Sequence, residues 1–257
     1  MSKLSILLRY QDYIRYSSRI TVSTRYSNTY LGIFWHFLDP LLMMFVYAFI
    51  YLVVFQSRTE DYLVFLLTGL IVWRWIAGSV TQSSNSISSR QGILEQVAAP
   101  KQIFPMVNLL VETVLFFAAC ILILGALIID NIQLTWHVVE FIPITIVTFI
   151  FLYGFGLIVA HFGAFIADLK PALSYFLRFL FYLSPIFYEI ALLPENIQKY
   201  YYYNPITIIV EGFRGVLIYG SSPDYLGLLA VLTLGLAAMW AGWRLIDVHD
   251  KDYGKLK

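Results

Sequence analysis

The run that decides the fold is Phe141-Ile-Pro-Ile-Thr-Ile-Val-Thr-Phe-Ile-Phe-Leu-Tyr-Gly-Phe-Gly-Leu-Ile-Val-Ala-His-Phe-Gly-Ala-Phe-Ile-Ala167, which holds no Asp, Glu, Lys or Arg. Crossing a hydrocarbon core of ~30 Å takes about 20 residues of helix, and this run exceeds that. Its apolar residues are continuous and do not alternate, so it reads as a transmembrane helix and not as a strand of a closed β-barrel.

Five further runs of the same kind lie on either side. Residues 37–55 carry Asp39 near their start, 62–80 contain Arg74, and 103–129 contain Glu112. Residues 173–193 carry Arg178 and Glu189, and 225–243 are uncharged up to Arg244. The expectation is an all-α protein with six transmembrane helices, built as a single transmembrane domain over 1–257. Within it, 1–36 is a cytoplasmic interfacial segment, 37–246 the six-span bundle and 247–257 a cytoplasmic tail.

Composition agrees. Sixty per cent of the residues are hydrophobic and 13% charged, too few polar side chains to clothe a water-soluble globule of this size. The formal net charge of +1 lacks the basic excess of a nucleic-acid binder. The single cysteine, Cys120, sits in an apolar run and has no intrachain partner for a disulfide. Residues 1–36 have scattered arginines and no short apolar core before a small-residue cleavage site, so this segment is expected to stay attached.

Lys and Arg between the spans set the orientation. Twelve lie in the N-terminal tract, the second and fourth connections and the C-terminal end, whereas only Arg58, Lys199 and Arg214 lie in the others. The excess places both termini in the cytoplasm, as an even number of spans requires.

Three connecting segments stand out. In the N-terminal tract a helix would put Asp12, Arg15 and Arg19 on one stripe, with Tyr10, Tyr13, Ile14 and Ile20 around the remainder. Such a helix lies in the membrane interface; the other reading is a weakly ordered basic leader. The second connection starts with a polar run, Thr81 to Ser89, and then admits a short helix at 91–97 between Gly92 and Pro100. That helix exposes Ile93, Leu94 and Glu95, an apolar pair that invites a protein partner unless it is tucked against the bilayer. The last external connection is broken by Pro185, Pro194 and Pro205 with apolar residues between them. Half-helices dipping into the outer leaflet and acting as a gate are one reading, and a structured cap is the other.

Arg74, Glu112, Arg178 and Glu189 are charges inside apolar runs, where each costs roughly 2.5–3.5 kcal/mol at a helix centre. Pairing between helices and a polar translocation path both account for them. Arg178 and Glu189 are three helical turns apart and would share a face. The tryptophans and the Tyr200 to Tyr203 run lie mostly near span ends, as an interfacial belt would. Aromatic faces could alternatively stack on sugars within a pore.

Catalytic signatures are absent from the sequence. There is no His-Glu-x-x-His, no Gly-x-Ser-x-Gly, no metal-ligand spacing among His36, His137, His161 and His249, and no phosphate-binding Gly-x4-Gly-Lys loop. Any nucleotide-driven transport needs another chain to bind the nucleotide.

The order Leu31-Gly32-x-x-Trp35 with Asp39-Pro40, Ile103-Phe104-Pro105, Ser184-Pro185-Ile186-Phe187-Tyr188, Leu193-Pro194 and Asn204-Pro205 resembles the membrane subunit of type-2 ABC exporters for polysaccharides. The teichoic acid translocation permeases are most similar, with O-antigen and capsule permeases next. One departure is Ala167-Asp168, where these permeases often have Arg-Asp. The resemblance implies a permease, not an enzyme, with no cofactor of its own. A second copy and two cytoplasmic ATP-binding subunits, holding ATP and Mg, would complete the exporter, and its cargo would be an undecaprenyl-diphosphate-linked polysaccharide.

It further implies roles for particular residues. The 91–97 helix (Gln91, Ile93, Leu94, Glu95), with Asp168 and Lys170, would couple to the ATPase. Arg15, Arg19, Leu31, Gly32, Trp35 and Pro40 would frame a lateral portal for the lipid-linked substrate. Pro185, Phe187, Tyr188, Pro194, Asn204, Pro205, Glu211 and Arg214 would form the external gate. A drug or lipid exporter of the same superfamily would share the topology, and an intramembrane enzyme would need a reactive dyad that the sequence does not show.

Overall fold

The computed structural model describes residues 7–25, 27, 29–54, 61–90 and 99–253, and among these it is all helix and turn. In chain order the α-helices are α1 (Gln11–Arg25), α2 (Phe34–Phe49), α3 (Tyr62–Ser84), α4 (Ile103–Ile129), α5 (Phe141–Phe165), α6 (Leu169–Leu183), α7 (Glu195–Tyr201), α8 (Pro205–Arg214) and α9 (Tyr225–Val248). Single π-helical turns extend α2 (Ile50–Val54) and α8 (Gly215–Tyr219).

The helix α3 is the hub. Val64, Leu66, Thr68, Ile71 and Trp75 are all buried, and α2, α4, α5, α6 and α8 pack around it. Against it α4 closes a core in which the Trp75 and Phe116 rings stack at 4.4 Å and Trp75 Nε1 donates to Thr113 Oγ1 at 3.1 Å. The largest helix pair is α5 with α9, and it is close because glycines face across it. A Cβ at Gly154 would stand 2.3 Å from the Gly235 carbonyl oxygen, and one at Gly235 would stand 2.7 Å from Phe151 Cα. Between apolar helices in lipid, such close backbone approach supplies the packing that burial from water supplies elsewhere.

The helix α1 forms as its pattern predicts. Ile14 and Ser18 are buried against α4, where Ser18 Oγ donates to the Val107 carbonyl at 3.4 Å, while Asp12, Arg15 and Arg19 stay exposed. A turn with Gly32 at φ +52° then redirects the chain into α2, a conformation glycine adopts without the steric penalty of a Cβ. Here the glycine of the Leu31-Gly32 pair has a backbone reason.

Among the described residues, four helices are long and apolar enough to cross a membrane: α3, α4, α9, and α5 with the 3-10 turn before it. The expected first span begins earlier than residue 37, at Phe34, and its α-helix ends at Phe49 with a π turn following, so it is shorter than the four long helices. The expected fifth span, 173–193, is not one helix: α6 stops at Leu183, about 22 Å of helix at 1.5 Å per residue. Pro185 explains the stop, because it disfavours helical backbone in the residue before it, and Ser184 is extended at φ −106°, ψ 147°. Glu189 therefore sits in extended backbone beyond the helix and shares no helical face with Arg178. The aromatic belt also needs correction, since Trp75 and Trp243 are 1% and 2% exposed and belong to the core. Trp136 and Trp240 remain on the outside.

Candidate functional site

Between α2, α3 and α6 lies a cavity of about 640 Å³. Its polar end gathers charges that the sequence places on five different helices, α1, α2, α3, α4 and α6. Arg25, in the last turn of α1, stands 2.6 Å from Glu112 of α4, whose side chain is 6% exposed. Arg74 of α3 pairs with Asp39 of α2. His36 Nε2 meets the Leu115 carbonyl at 2.8 Å, while its Nδ1 is buried without a hydrogen-bond partner. Arg178 of α6 completes the lining and makes no ion pair or hydrogen bond among the described residues. Three of the four charges met inside apolar runs thus line one space: Arg74 and Glu112 as halves of ion pairs, and Arg178 as a free cation. Lipid would make an unpaired charge costly, and a polar cavity relieves that cost.

Toward the other end the lining turns aromatic. A second cavity of about 490 Å³ shares Tyr47 and Tyr182 with the first and is lined further by Tyr51, Tyr62, Phe187, Tyr188 and Leu193. Rings stack along it, Tyr47 on Phe187 at 5.0 Å and Tyr51 on Tyr62 at 3.7 Å. The outer face of α6 adds Tyr175, Phe176, Phe179 and Tyr182, all exposed.

The proline-rich segment closes this aromatic end, and Arg214 holds it. Asn204 caps α8 by accepting from the Ile206 N–H at 3.0 Å, and Pro205 takes the first helical position, where no N–H is needed. Asn204 Nδ2 also donates to Ser184 Oγ at 3.0 Å, tying the start of α8 to the Ser184-Pro185 break. At the other end of α8, the fully buried Arg214 donates to the carbonyls of Pro185 (2.6 Å), Ile186 (2.7 Å) and Phe65 (3.2 Å) and to Glu211 Oε1 (2.7 Å). Its guanidinium lies 3.3 Å from the centre of the Phe65 ring. Only a planar fork with several fixed donors serves so many acceptors at once. Space for it exists because residue 69 is glycine: a Cβ there would come within 2.5 Å of both Arg214 Nη2 and the Ile186 oxygen. Tyr62 Oη donates to the Phe187 carbonyl at 2.9 Å, and Tyr188 Oη lies 3.1 Å from Tyr201 Oη.

The expected gate residues thus fall into two groups. Pro185, Asn204, Pro205, Glu211 and Arg214 form one bonded unit, and Phe187 and Tyr188 face the aromatic cavity. Pro194 only precedes the short helix α7. Of the expected portal residues, Leu31 and Trp35 are exposed with Arg15 and Arg19, whereas Pro40 is buried inside α2 and lines the polar cavity. The coupling residues Gln91, Ile93, Leu94 and Glu95 lie outside the described residues. Asp168 and Lys170 are exposed at the start of α6. Sequence reasoning missed Phe65 and Gly69, which carry no chemical signal on their own, and Arg25, Asp39 and His36 as partners. A charge inside an apolar run calls for a partner of the opposite sign, but which residue supplies it is set by packing between helices.

Comparison with known proteins places this geometry. The profile of the ABC-2 type transporter family matches residues 14–218. An O-antigen export system permease protein RfbA of Klebsiella pneumoniae is 29% identical over 210 residues, 81% of each chain. A protein of the same name from Myxococcus xanthus is 24% identical over 91% of each chain. The polysialic acid transport protein KpsM of Escherichia coli is 25% identical over 84% of this chain and 88% of its own. With the family profile covering both cavity walls and the Arg214 unit, the chain belongs to the ABC-2 type transporter family.

Proposed function

We propose that the chain is the transmembrane subunit of an ATP-driven exporter of lipid-linked polysaccharide, and that the α2–α3–α6 cavity is one wall of its path. The observation that carries this reading is that a charged cavity and an aromatic one adjoin, with Tyr47 and Tyr182 lining both. Charges at one end suit an anionic carrier head group. Aromatic faces at the other bind sugar rings broadly and without a fixed register of hydrogen bonds. Passage requires sites that bind well enough to admit and weakly enough to release, and a ladder of rings meets that need.

A single copy cannot enclose a polymer, and the exposed aromatic face of α6 supports pairing with a second copy by a two-fold interface. In this reading α2 and α6 also cross the membrane, for six crossings in all, and the segment after α6 re-enters the outer leaflet. Both termini are cytoplasmic on the Lys and Arg bias, and two ATP-binding subunits, with ATP and Mg, dock on residues 91–97 and on Asp168 and Lys170. Among polymers, the relatives' names speak for O-antigen and polysialic acid; wall teichoic acid, first in the sequence resemblance, has no support from those names. The test is reconstitution with an ATP-binding subunit that co-purifies with this chain. Export of lipid-linked polymer into proteoliposomes on addition of ATP is expected, and transport of small hydrophobic compounds alone would favour a drug or lipid exporter.

A further inference from the structure

The cytoplasmic connection between α3 and α4 stands on two feet, and both are held by the α5–α9 pair. The first foot is the end of α3. A Cβ on Gly163 of α5 would lie 2.1 Å from the Ser84 carbonyl oxygen, and one on Gly156 would lie 2.8 Å from Ser83 Oγ. Beyond it the chain turns inward with Ser86 and Ile87 wholly buried, and Arg90 reaches the Ser86 carbonyl (3.1 Å) and Asn108 Oδ1 (3.3 Å).

The second foot is Lys101 and Gln102. Lys101 Nζ is 2.6 Å from Asp250 Oδ1, and Gln102 Nε2 donates to Asp247 Oδ1 at 2.5 Å. Tyr153 Oη of α5 donates to the Gln102 carbonyl at 3.3 Å. The tail that supplies the two aspartates is itself anchored. Tyr253 is 1% exposed, and its hydroxyl shares a 2.7 Å hydrogen bond with His161 Nδ1 of α5. Burial and the nearby Asp250 carboxylate push the Tyr253 phenol upward, so it stays protonated.

We propose that residues 247–253 are a coupling brace: they fix the second foot of the 91–98 connection to α9 and α5, so that a push on that connection moves the helix pair as one body. The inference rests on the reading that the ATPase docks on this connection. Without the brace, the push would be absorbed at Ala99 and Pro100, which have no regular backbone structure. Energy transfer through a contact needs a stiff element on the receiving side. Lys101 and Gln102 are then positioning residues for coupling, and the last turn of α9 with residues 249–253 carries a function that its place at the end of the chain's last long helix conceals.

The experiment uses the full permease with its ATPase subunits in proteoliposomes and reads substrate-stimulated ATP hydrolysis, export and subunit stoichiometry together. Lys101→Asp and Asp250→Lys are each expected to lower stimulation and export by at least about twofold, with the ATPase still bound in the same ratio, and the double exchange is expected to restore both. Asp250→Asn serves as the milder variant should a reversal impair folding, and Tyr253→Phe tests the tail anchor with packing retained. Full coupling in these single variants, or an exchange that fails to restore what the reversals lost, overturns the brace. Ile93→Asp with Leu94→Asp, run in the same assay, tests the docking reading separately. If that pair retains full stimulation, the docking reading fails; if it uncouples while the tail variants do not, only the brace fails.

Discussion

Arg214, fully buried at the end of α8, lies with its guanidinium over the Phe65 ring at 3.3 Å while donating to the carbonyl oxygen of that same residue. One side chain thereby joins the first turn of α3 to the Pro185-Ile186 segment on the far side of the sequence.

Replacing Arg214 by Ala leaves Glu211 and three carbonyls without their donor. Breaking a buried charged pair of this kind costs about 3–5 kcal/mol. Arg214→Lys, a point charge with no fork, is expected to lose most of this as well. Thermal unfolding of the detergent-purified protein should show a large downward shift for both variants, and Gly69→Val should behave similarly by displacing the guanidinium.

The Arg74–Asp39 pair joins α2 to α3 across the polar cavity. Arg74→Ala would leave the Asp39 carboxylate on the cavity wall without its cation, and a loss of stability is expected. The exchange of the two residues should recover a good part of the stability and of the export lost in either single variant. Melting temperature and polymer export, measured on all three, check this.

Much of this arrangement was legible in advance, and the losses have physical causes. The long apolar runs at 103–129, with the single charge Glu112, and at 141–167, with none, need no tertiary context to become helices, and both are helical. Helix α6 was overextended because Leu, Phe and Ile continue past Ser184, so hydropathy alone misses a stop that Pro185 imposes through backbone sterics. Charges in apolar runs correctly marked Arg74, Glu112 and Arg178, but a partner requires a register between helices. Asp39 and Arg25 therefore became visible only in three dimensions. Arg214 was expected among the gate residues; its burial and its carbonyl partners, which no pattern in the sequence encodes, make it the anchor of the Pro185-Ile186 segment.

Phe187 and Tyr188 face the aromatic cavity beside Tyr47 and Tyr62. With both changed to Ala, the resting transporter in liposomes is expected to leak ions or small solutes, because the packed rings no longer fill the outer end. Flux equal to wild type would place the closed barrier elsewhere.

A reporter fused after Lys257 should be active only in its cytoplasmic form, and one inserted at 199–204 only in its external form. Alkaline phosphatase and green fluorescent protein fusions measure the two states, and a reversed pattern would invert the whole orientation.

In the proposed function, polymer passes along the wall made by α2, α3 and α6. Cysteines at Met43, Trp73 and Arg178, which line the charged cavity, are compared with one at Ile121 on the exposed outer face of α4, in a background where Cys120 is serine. Each is treated with a charged, membrane-impermeant thiol reagent during ATP-driven export. The account predicts that the three cavity positions react and that their modification stops export, whereas Ile121→Cys neither reacts nor affects it. Cavity cysteines that remain unreactive throughout turnover, or that react while export continues at full rate, would contradict it.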